Sequence, residues 1–426
     1  MLLLGMSFSS PGCDTVCPAD APMRPTDPVV LAMGGYQVYE KAMDLYKRGI
    51  WDDDLSDQYN QRLRDLRTQG EQLQQDTIGI NAISEPLTSQ AIQRLTAGTQ
   101  RRRGGTALEV PVRGGALVAG GFRQSVGHVV GSTFLFDGNT ETWSRLGELN
   151  HPREGHTLTQ LMDGRVLAVG GTDFQQTIFT QAEALSPDSG TWSPAGTTTE
   201  PHLGHSATLL NGGRVLVVGG VNTLVDTPDF GDRLAGAELF DPDTNEFSAG
   251  PEPQMRRTEH RAVKLLDGKV LVVAGFSSPT VGQTAELYNP VTNEFVATAN
   301  QMSVDHGSGA TATLLADGRV LVAGGQSSAL VNGSNVIAKT DLYDPATNSF
   351  SPGPDMGTSR QGHQAVLMPD GTVLVIGGQT EVITDDSTES VDLDTSETYD
   401  PVANTFTPSA TKMAAPRYQF TAVVVP

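Results

Sequence analysis

Short apolar runs recur through the last three quarters of the chain. Leu167-Ala168-Val169, Leu216-Val217-Val218, Leu271-Val272-Val273 and Leu321-Val322-Ala323 are four of them. Each is too short for a helix and rich in β-branched residues, which suits strands buried on both faces. Each is preceded by Asp-Gly or Gly-Gly, as at Asp163-Gly164, Gly212-Gly213, Asp267-Gly268 and Asp317-Gly318. Asp-Gly between two strands predicts a type I′ hairpin, whose two central residues both need positive φ. No apolar run approaches the roughly 18–20 residues that cross a bilayer as a helix.

The runs belong to a repeat. One phrase reads His156-Thr157 … Asp163-Gly164-Arg165-Val166-Leu167-Ala168-Val169-Gly170-Gly171 and returns with His205, His260 and His363. It ends in a pair of small residues at Gly120, Gly170, Gly219, Ala274, Gly324 and Gly377, spaced 50, 49, 55, 50 and 53 residues apart. A second phrase follows each copy of the first. Its clearest form runs from Glu238 through Asp241-Pro242-Asp243-Thr244-Asn245 to Phe247, and the others end at Trp143, Trp192, Phe295, Phe350 and Phe406. Asp-Pro-x-Thr-Asn is turn chemistry between two further strands. Each unit is therefore a four-stranded sheet, strands A to D, that must pack against its neighbours to bury both faces.

A period near 50 with a double glycine closing the second strand resembles the kelch repeat. Six copies of both phrases imply an all-β, six-bladed kelch-type β-propeller over residues 106–426. The repeated aromatic opens strand D and is expected to pack between blades. The C-terminal Arg417-Tyr418-Gln419-Phe420-Thr421 repeats the opening of a strand A and is expected to supply that strand to blade 1. Residues 107–112 compete for the same place, so one of the two sits elsewhere or belongs to a partial seventh blade.

Ahead of the propeller the pattern changes. Residues 18–105 read as an extended and mainly helical N-terminal segment, with helices expected over 36–48 and 54–75. The second has a narrow apolar stripe of Leu55, Tyr59, Leu63, Leu66 and Leu73, suited either to lying on the propeller or to assembly with another chain. Residues 1–17 resemble the tail of a secretion signal, and Ser10-Pro11-Gly12-Cys13 is a loose lipoprotein-type box, so a lipid anchor at Cys13 and an extracytoplasmic setting are expected. Cys13 and Cys17 are the only cysteines, without flanking histidines for a metal site. The formal net charge of −21 argues against a nucleic-acid partner.

Candidate chemistry gathers where B–C and D–A loops meet on one face. A basic residue opens strand A at Arg153, Arg257, Arg360 and Arg417, with His202 in that place in blade 3 and Gly307 breaking the pattern in blade 5. These residues are expected to ring the central channel. They either contact a partner, as the kelch resemblance implies for acidic peptides, or pair with neighbouring acidic loops. Changing Arg153, Arg257 and Arg360 together to alanine is expected to abolish partner capture and leave the domain folded. The histidines three residues on read as structural, because repeated residues usually serve repeated packing. The B–C loops after Gly220, Gly325 and Gly378 are long, and the last carries Asp385, Asp386, Asp392 and Asp394, weak candidates for calcium.

The radical copper oxidases that resemble galactose oxidase share this fold, but their cofactor needs a Tyr joined to a Cys, and no cysteine follows Cys17. No acid/base pair stands outside the repeat. The phrase Leu-Leu-x-Asp-Gly-Arg-Val-Leu resembles kelch proteins that bacteria secrete or attach to their envelopes. The sequence thus points to a non-catalytic module that binds a protein or a glycan. A carbohydrate-active enzyme with its site at the channel mouth is the alternative.

Overall fold

The computed structural model divides into two units, residues 1–78 and 79–426. The described residues all lie in the second: 80–82, 93–97, 102–103, 106–110, 115–123, 128–137, 142–173, 175, 177–223, 236–276, 281–331, 334–383, 388–413, 416 and 421–425. Cys13, Cys17, the two expected helices, Arg417, Asp385 and Asp386 fall outside them.

Six four-stranded antiparallel sheets follow one another along the chain, each in A-B-C-D order. Blade 1 comprises Thr106–Val110, Gly115–Ala119, Thr133–Asp137 and Thr142–Arg145. Blade 2 comprises Thr157–Gln160, Val166–Val169, Gln181–Leu185 and Trp192–Thr197. The A strands of blades 3 to 6 begin at Ser206, Arg261, Thr311 and Gln364. Successive A strands lie side by side around the centre. Among the described residues there is no α-helix.

The ring closes differently from the expectation. Thr106–Val110 is strand A of blade 1, as its pairing with Gly115–Ala119 shows. The C-terminal strand Thr421–Val425 pairs instead with Gln93–Ala97, which pairs with Ile80–Ala82. This three-stranded sheet stands between the A strands of blades 6 and 1. Both ends of the propeller unit therefore contribute to one closing sheet beside the six complete blades.

The core lies between blades. Strand B alternates its side chains: Val166 and Ala168 pack with Leu117 and Ala119 of blade 1, while Leu167 and Val169 pack with Val215 and Val217 of blade 3. That period of two explains why strand B is apolar throughout. The repeated aromatic packs between blades as expected. Trp192 joins the blade 1 cluster and donates its indole N–H to Thr133 Oγ1 at 2.8 Å. Phe295 of blade 4 sits with Leu216 and Leu239 of blade 3.

The A–B hairpin is not a type I′ turn. At Leu161–Arg165 the Gly164 N–H donates to Leu161 O and the Leu161 N–H to Arg165 O. Of the two central residues of Asp-Gly, only the glycine is left-handed, with φ 86°. This is the three-residue hairpin loop with glycine at its last position. The aspartate instead accepts the N–H two residues on, at 3.0 Å for Asp163, Asp267, Asp317 and Asp370 alike.

The double glycine answers two constraints at once. Gly219 has φ 61°, and a Cβ there would lie 2.4 Å from Arg257 O of the next blade. Gly371, in the A–B turn of blade 6, has φ 85° but open space around it. Gly371→Ala should therefore lose about 1 kcal/mol, the left-handed backbone alone. Gly219→Ala should lose roughly 3 kcal/mol, because a carbonyl held by a hydrogen bond cannot retreat. Urea denaturation of the two variants checks this, and equal losses would refute the blade-to-blade contact as the reason for the glycine.

Candidate functional site

The residues expected to ring the channel are buried. Arg153, Arg257 and Arg360 are each fully inaccessible to solvent. Each guanidinium lies inside its own blade and ties three strands. Arg153 Nη1 donates to Gly170 O at 2.8 Å and Gln181 O at 3.0 Å, and Nη2 to Glu183 Oε1 at 2.9 Å. Arg360 repeats this with Gly377 O at 2.9 Å and Glu397 Oε1 at 2.8 Å. Arg257 reaches Ala274 O at 2.8 Å, with Glu286 at 3.7 Å. Burial pulls the Arg257 guanidinium down to about 10, which leaves it charged at neutral pH.

Histidine does the same work in two blades. His202 Nδ1 lies 2.8 Å from Gly219 O and Nε2 lies 3.0 Å from Glu238 Oε1. His306 Nδ1 lies 2.7 Å from Gly324 O and Nε2 lies 3.0 Å from Asp341 Oδ2. Blade 5 thus keeps the pattern that Gly307 was expected to break. The side chain comes from one residue earlier, and a residue inserted before Ala310 absorbs the difference in spacing.

The carboxylates have a second task. Glu183 accepts the N–H groups of Asn150 and His151, and Glu397 those of Gly357 and Thr358, so each pins its D–A junction. Burial alone would raise the Glu238 carboxyl, but hydrogen bonds from His202 and Thr199 outweigh it and hold it below its usual range. With every donor and acceptor turned inward, the described members of the set, Arg153, His202, Arg257 and Arg360, are not a partner-binding ring. They hold each blade together. The expected pairing with acid is present, but the acid opens strand C of the same blade and does not come from a loop.

The second ring of histidines is structural, as expected. His205 Nε2 meets Thr157 Oγ1 of the preceding blade at 3.0 Å, His260 meets Ser206 at 2.8 Å and His363 meets Thr311 at 3.0 Å. Burial first, and the neighbouring arginines second, push His156, His260 and His363 down to about 3. Where blade 5 has Ala310, the partner position of blade 4 holds Arg261, whose Nε donates to Ala310 O at 2.8 Å.

The expected calcium loop does not assemble among the described residues. Asp392 accepts from Gln379 Nε2 at 3.0 Å, and Asp394 pairs with Lys412 at 3.0 Å. Instead, among the described residues three B–C connections form hairpins on the loop face; that of blade 1 is Phe122–Arg123 with His128–Val129. Blade 5 carries Gln326–Val331 with Ser334–Val336, and blade 6 carries Gln379–Ile383 with Thr388–Asp392. Glu381 joins these two, accepting from Ser334 Oγ at 2.7 Å and from the Asn335 N–H at 2.9 Å. Asp305 anchors the blade 5 hairpin by accepting the Ser328 N–H at 2.8 Å. Unequal B–C loops were legible in the sequence; this bracing was not.

Residues 159–199 match the kelch motif. The repeat and the architecture together make the protein a kelch-repeat β-propeller. A 54-residue stretch is 43% identical to galactose oxidase of Gibberella zeae, spanning 13% of this chain and 8% of that enzyme. The solved structure of YjhT superposes with a TM-score of 0.52 at 16% identity, over 68% of this chain and 97% of that one. A fungal alcohol oxidase of the AA5 family, in complex with copper, superposes with a TM-score of 0.56 at 19% identity, over 74% and 66%. Both structural likenesses are of fold.

The described residues do not fit such a copper centre. Tyr288, Tyr343 and Tyr399 are buried between blades and donate their hydroxyls to Asn293, Asn348 and Asn404, each at 2.9 Å. His205, His260 and His363 are each engaged by a Ser or Thr hydroxyl, and no cysteine follows Cys17.

Two outcomes follow. Glu397→Gln, or the triple arginine-to-alanine variant, should unfold or lose several kcal/mol per site, since removing one partner of a buried ion pair costs about 3–5 kcal/mol. Thermal melting of Glu397→Gln checks this, and an unshifted transition would return the network to the surface. The second concerns acid. The buried histidines stay neutral to about pH 3, whereas the unfolded chain protonates them near pH 6.5. Their folded pKa is the lower one, so their stability is present above about pH 6.5 and is lost progressively between there and pH 3. The slope should rise to roughly 1.4 kcal/mol per pH unit for each histidine once the pH is well below 6.5, read from urea midpoints between pH 7 and 4.

Proposed function

We propose that the protein is a non-catalytic binding module whose loop face grips a protein or a glycan. One observation carries this reading. The repeated arginines and histidines that looked available for chemistry are committed to holding the ring, while two braced hairpins on the loop face depart from the repeat and present exposed side chains. Unequal insertions on one face are where repeat proteins place recognition. The extracytoplasmic setting expected from residues 1–17 is part of the same proposal.

The competing reading is an oxidase or other carbohydrate-active enzyme, favoured by the stretch similar to galactose oxidase. It lacks support from the tyrosine and histidine environments described above. The test uses the purified full chain, probed against immobilised protein and glycan collections and, separately, incubated with copper and a panel of sugars and primary alcohols. Saturable binding without hydrogen peroxide is the expected result. Peroxide formed in proportion to enzyme would overturn the binding reading in favour of the oxidase.

A further inference from the structure

The blade 6 hairpin ends in an open edge. Its register is regular, from Gln379↔Asp392 to Ile383↔Thr388. The sheet has two strands, and among the described residues nothing pairs with the far side of Thr388–Asp392. That strand is exposed almost throughout. A ribbon of two short strands is marginal in water unless it is braced. Here the bracing falls on Gln379–Ile383: Glu381 is held by the blade 5 hairpin, and Thr380 Oγ1 lies 2.6 Å from Ser359 Oγ. The outer strand is therefore held in extended form while its outward N–H and C=O groups face solvent.

Proteins usually blunt such an edge with proline, lysine or a bulge. Thr388-Glu389-Ser390-Val391-Asp392 has no proline and no lysine, and its pairing has no register shift. The residues on one face of the ribbon follow from the period of two. Thr380 with Val391 and Val382 with Glu389 are cross-strand pairs on a common face, opposite the one that carries Glu381. Val382 is 46% exposed and Val391 41% exposed, although β-branched apolar residues gain by being covered. Leu330 on the neighbouring hairpin is 69% exposed.

The charge on this edge selects the occupant. Glu389 is exposed beside Val391, and the chain carries a net −21. A second copy of the chain would bring the same charge, so self-pairing is opposed; a basic segment is attracted. We propose that the outer edge of Thr388–Asp392 is a docking edge, and that its occupant is an extended basic segment of a partner protein, apolar at alternate positions, added as a third strand. This rests on the binding reading above and deepens it from a face to an edge. It also reverses the charge of the partner expected from the arginines.

The probe is a fluorescent synthetic peptide alternating valine and lysine, titrated by anisotropy against the full chain. Binding should weaken with added salt, as an interaction between exposed charges must. It should weaken at least about tenfold when alternate peptide nitrogens are methylated, since methylation removes ladder hydrogen bonds. Val391→Lys and Glu389→Lys should each weaken it to a similar degree while the thermal transition stays in place. Amide exchange should slow at residues 388–392 in the complex. Undiminished binding of the methylated peptide, or of the wild-type peptide to both lysine variants, overturns the edge proposal. If those variants still capture their targets on the protein and glycan collections, the edge is wrong and the module reading stands. If neither peptide nor collection binds the wild-type chain, the module reading has failed with it.

Discussion

The propeller depends on one backbone group per junction, the carbonyl at the start of each strand A. Gly121 N–H donates to Arg153 O, Gly171 to His202 O, Gly220 to Arg257 O and Gly325 to Arg360 O, all within 2.8–2.9 Å. Each bond joins the end of one blade's strand B to the next blade. The side chain of the same residue turns back and ties its own blade through the carbonyl that ends strand B, from a glycine or from Ala274, and a strand C carboxylate. One residue thus connects blade to blade by its main chain and strand to strand by its side chain. The glycine pair is what lets the two backbones approach, because a Cβ at either glycine would strike a neighbouring carbonyl.

The junction between blades 4 and 5 shows how tightly these parts constrain one another. The first glycine is replaced there by Ala274, left-handed with φ 60°. In the other junctions that glycine lies against the next blade's histidine, with Gly170 close to His205 and Gly324 close to His363. An added methyl needs the space, and the next blade supplies it by having Ala310 in place of histidine. The hydroxyl that would have met the missing ring is gone as well, and Arg261 occupies the gap. The inserted residue then shifts the accepting carbonyl to Gly307, which takes the Gly275 N–H at 2.9 Å. These departures make one structural solution. Arg261, the only cation at its place in strand A of blades 2 to 6, needs no ligand to explain it.

Much of this was legible in the sequence. Two phrases alternating at a period near 50 were enough for the blade, its strand order, and the aromatic between blades. What could not be read was the direction of the side chains. A basic residue repeated at a loop looks like a lining for the channel, because sequence spacing does not reveal burial. The signal that would have corrected it was present. Glu183, Glu238, Glu286, Asp341 and Glu397 lie in strand C of the blades that carry a basic residue at strand A, whereas blade 1 has Phe134 in that place. A charge that recurs with an opposite charge in the same repeat is a pair. The turn was misjudged for a similar reason: Asp-Gly is compatible with two loop lengths, and the aspartate's hydrogen bond to the residue two further on selects the longer. Closure was open in the sequence because residues 107–112 and 417–425 offered equivalent strands, and only the pairing of Gln93–Ala97 with the C-terminal strand decides between them.

The same logic separates what holds the ring from what is free to act. A residue present in every blade is under the same geometric demand in every blade, so its chemistry is already committed. Functional freedom belongs to residues that depart from the repeat without compensation nearby. Ala274, Ala310 and Arg261 compensate one another and drop out. Glu259 does not. It is left-handed at φ 54°, where Gly155, Gly204 and Gly362 stand in other blades, and its side chain is exposed on the loop face. A non-glycine there costs of order 1 kcal/mol, and the hydrogen bond from its N–H to Gly204 O would be available to glycine as well. The B–C hairpins of blades 1, 5 and 6 are the other uncompensated departure, since no blade needs them to close. Glu259 and the blade 6 hairpin both lie on the loop face, and both leave acidic side chains exposed to solvent. The repeat places the blades, and the few residues that escape it give that face its acidic character.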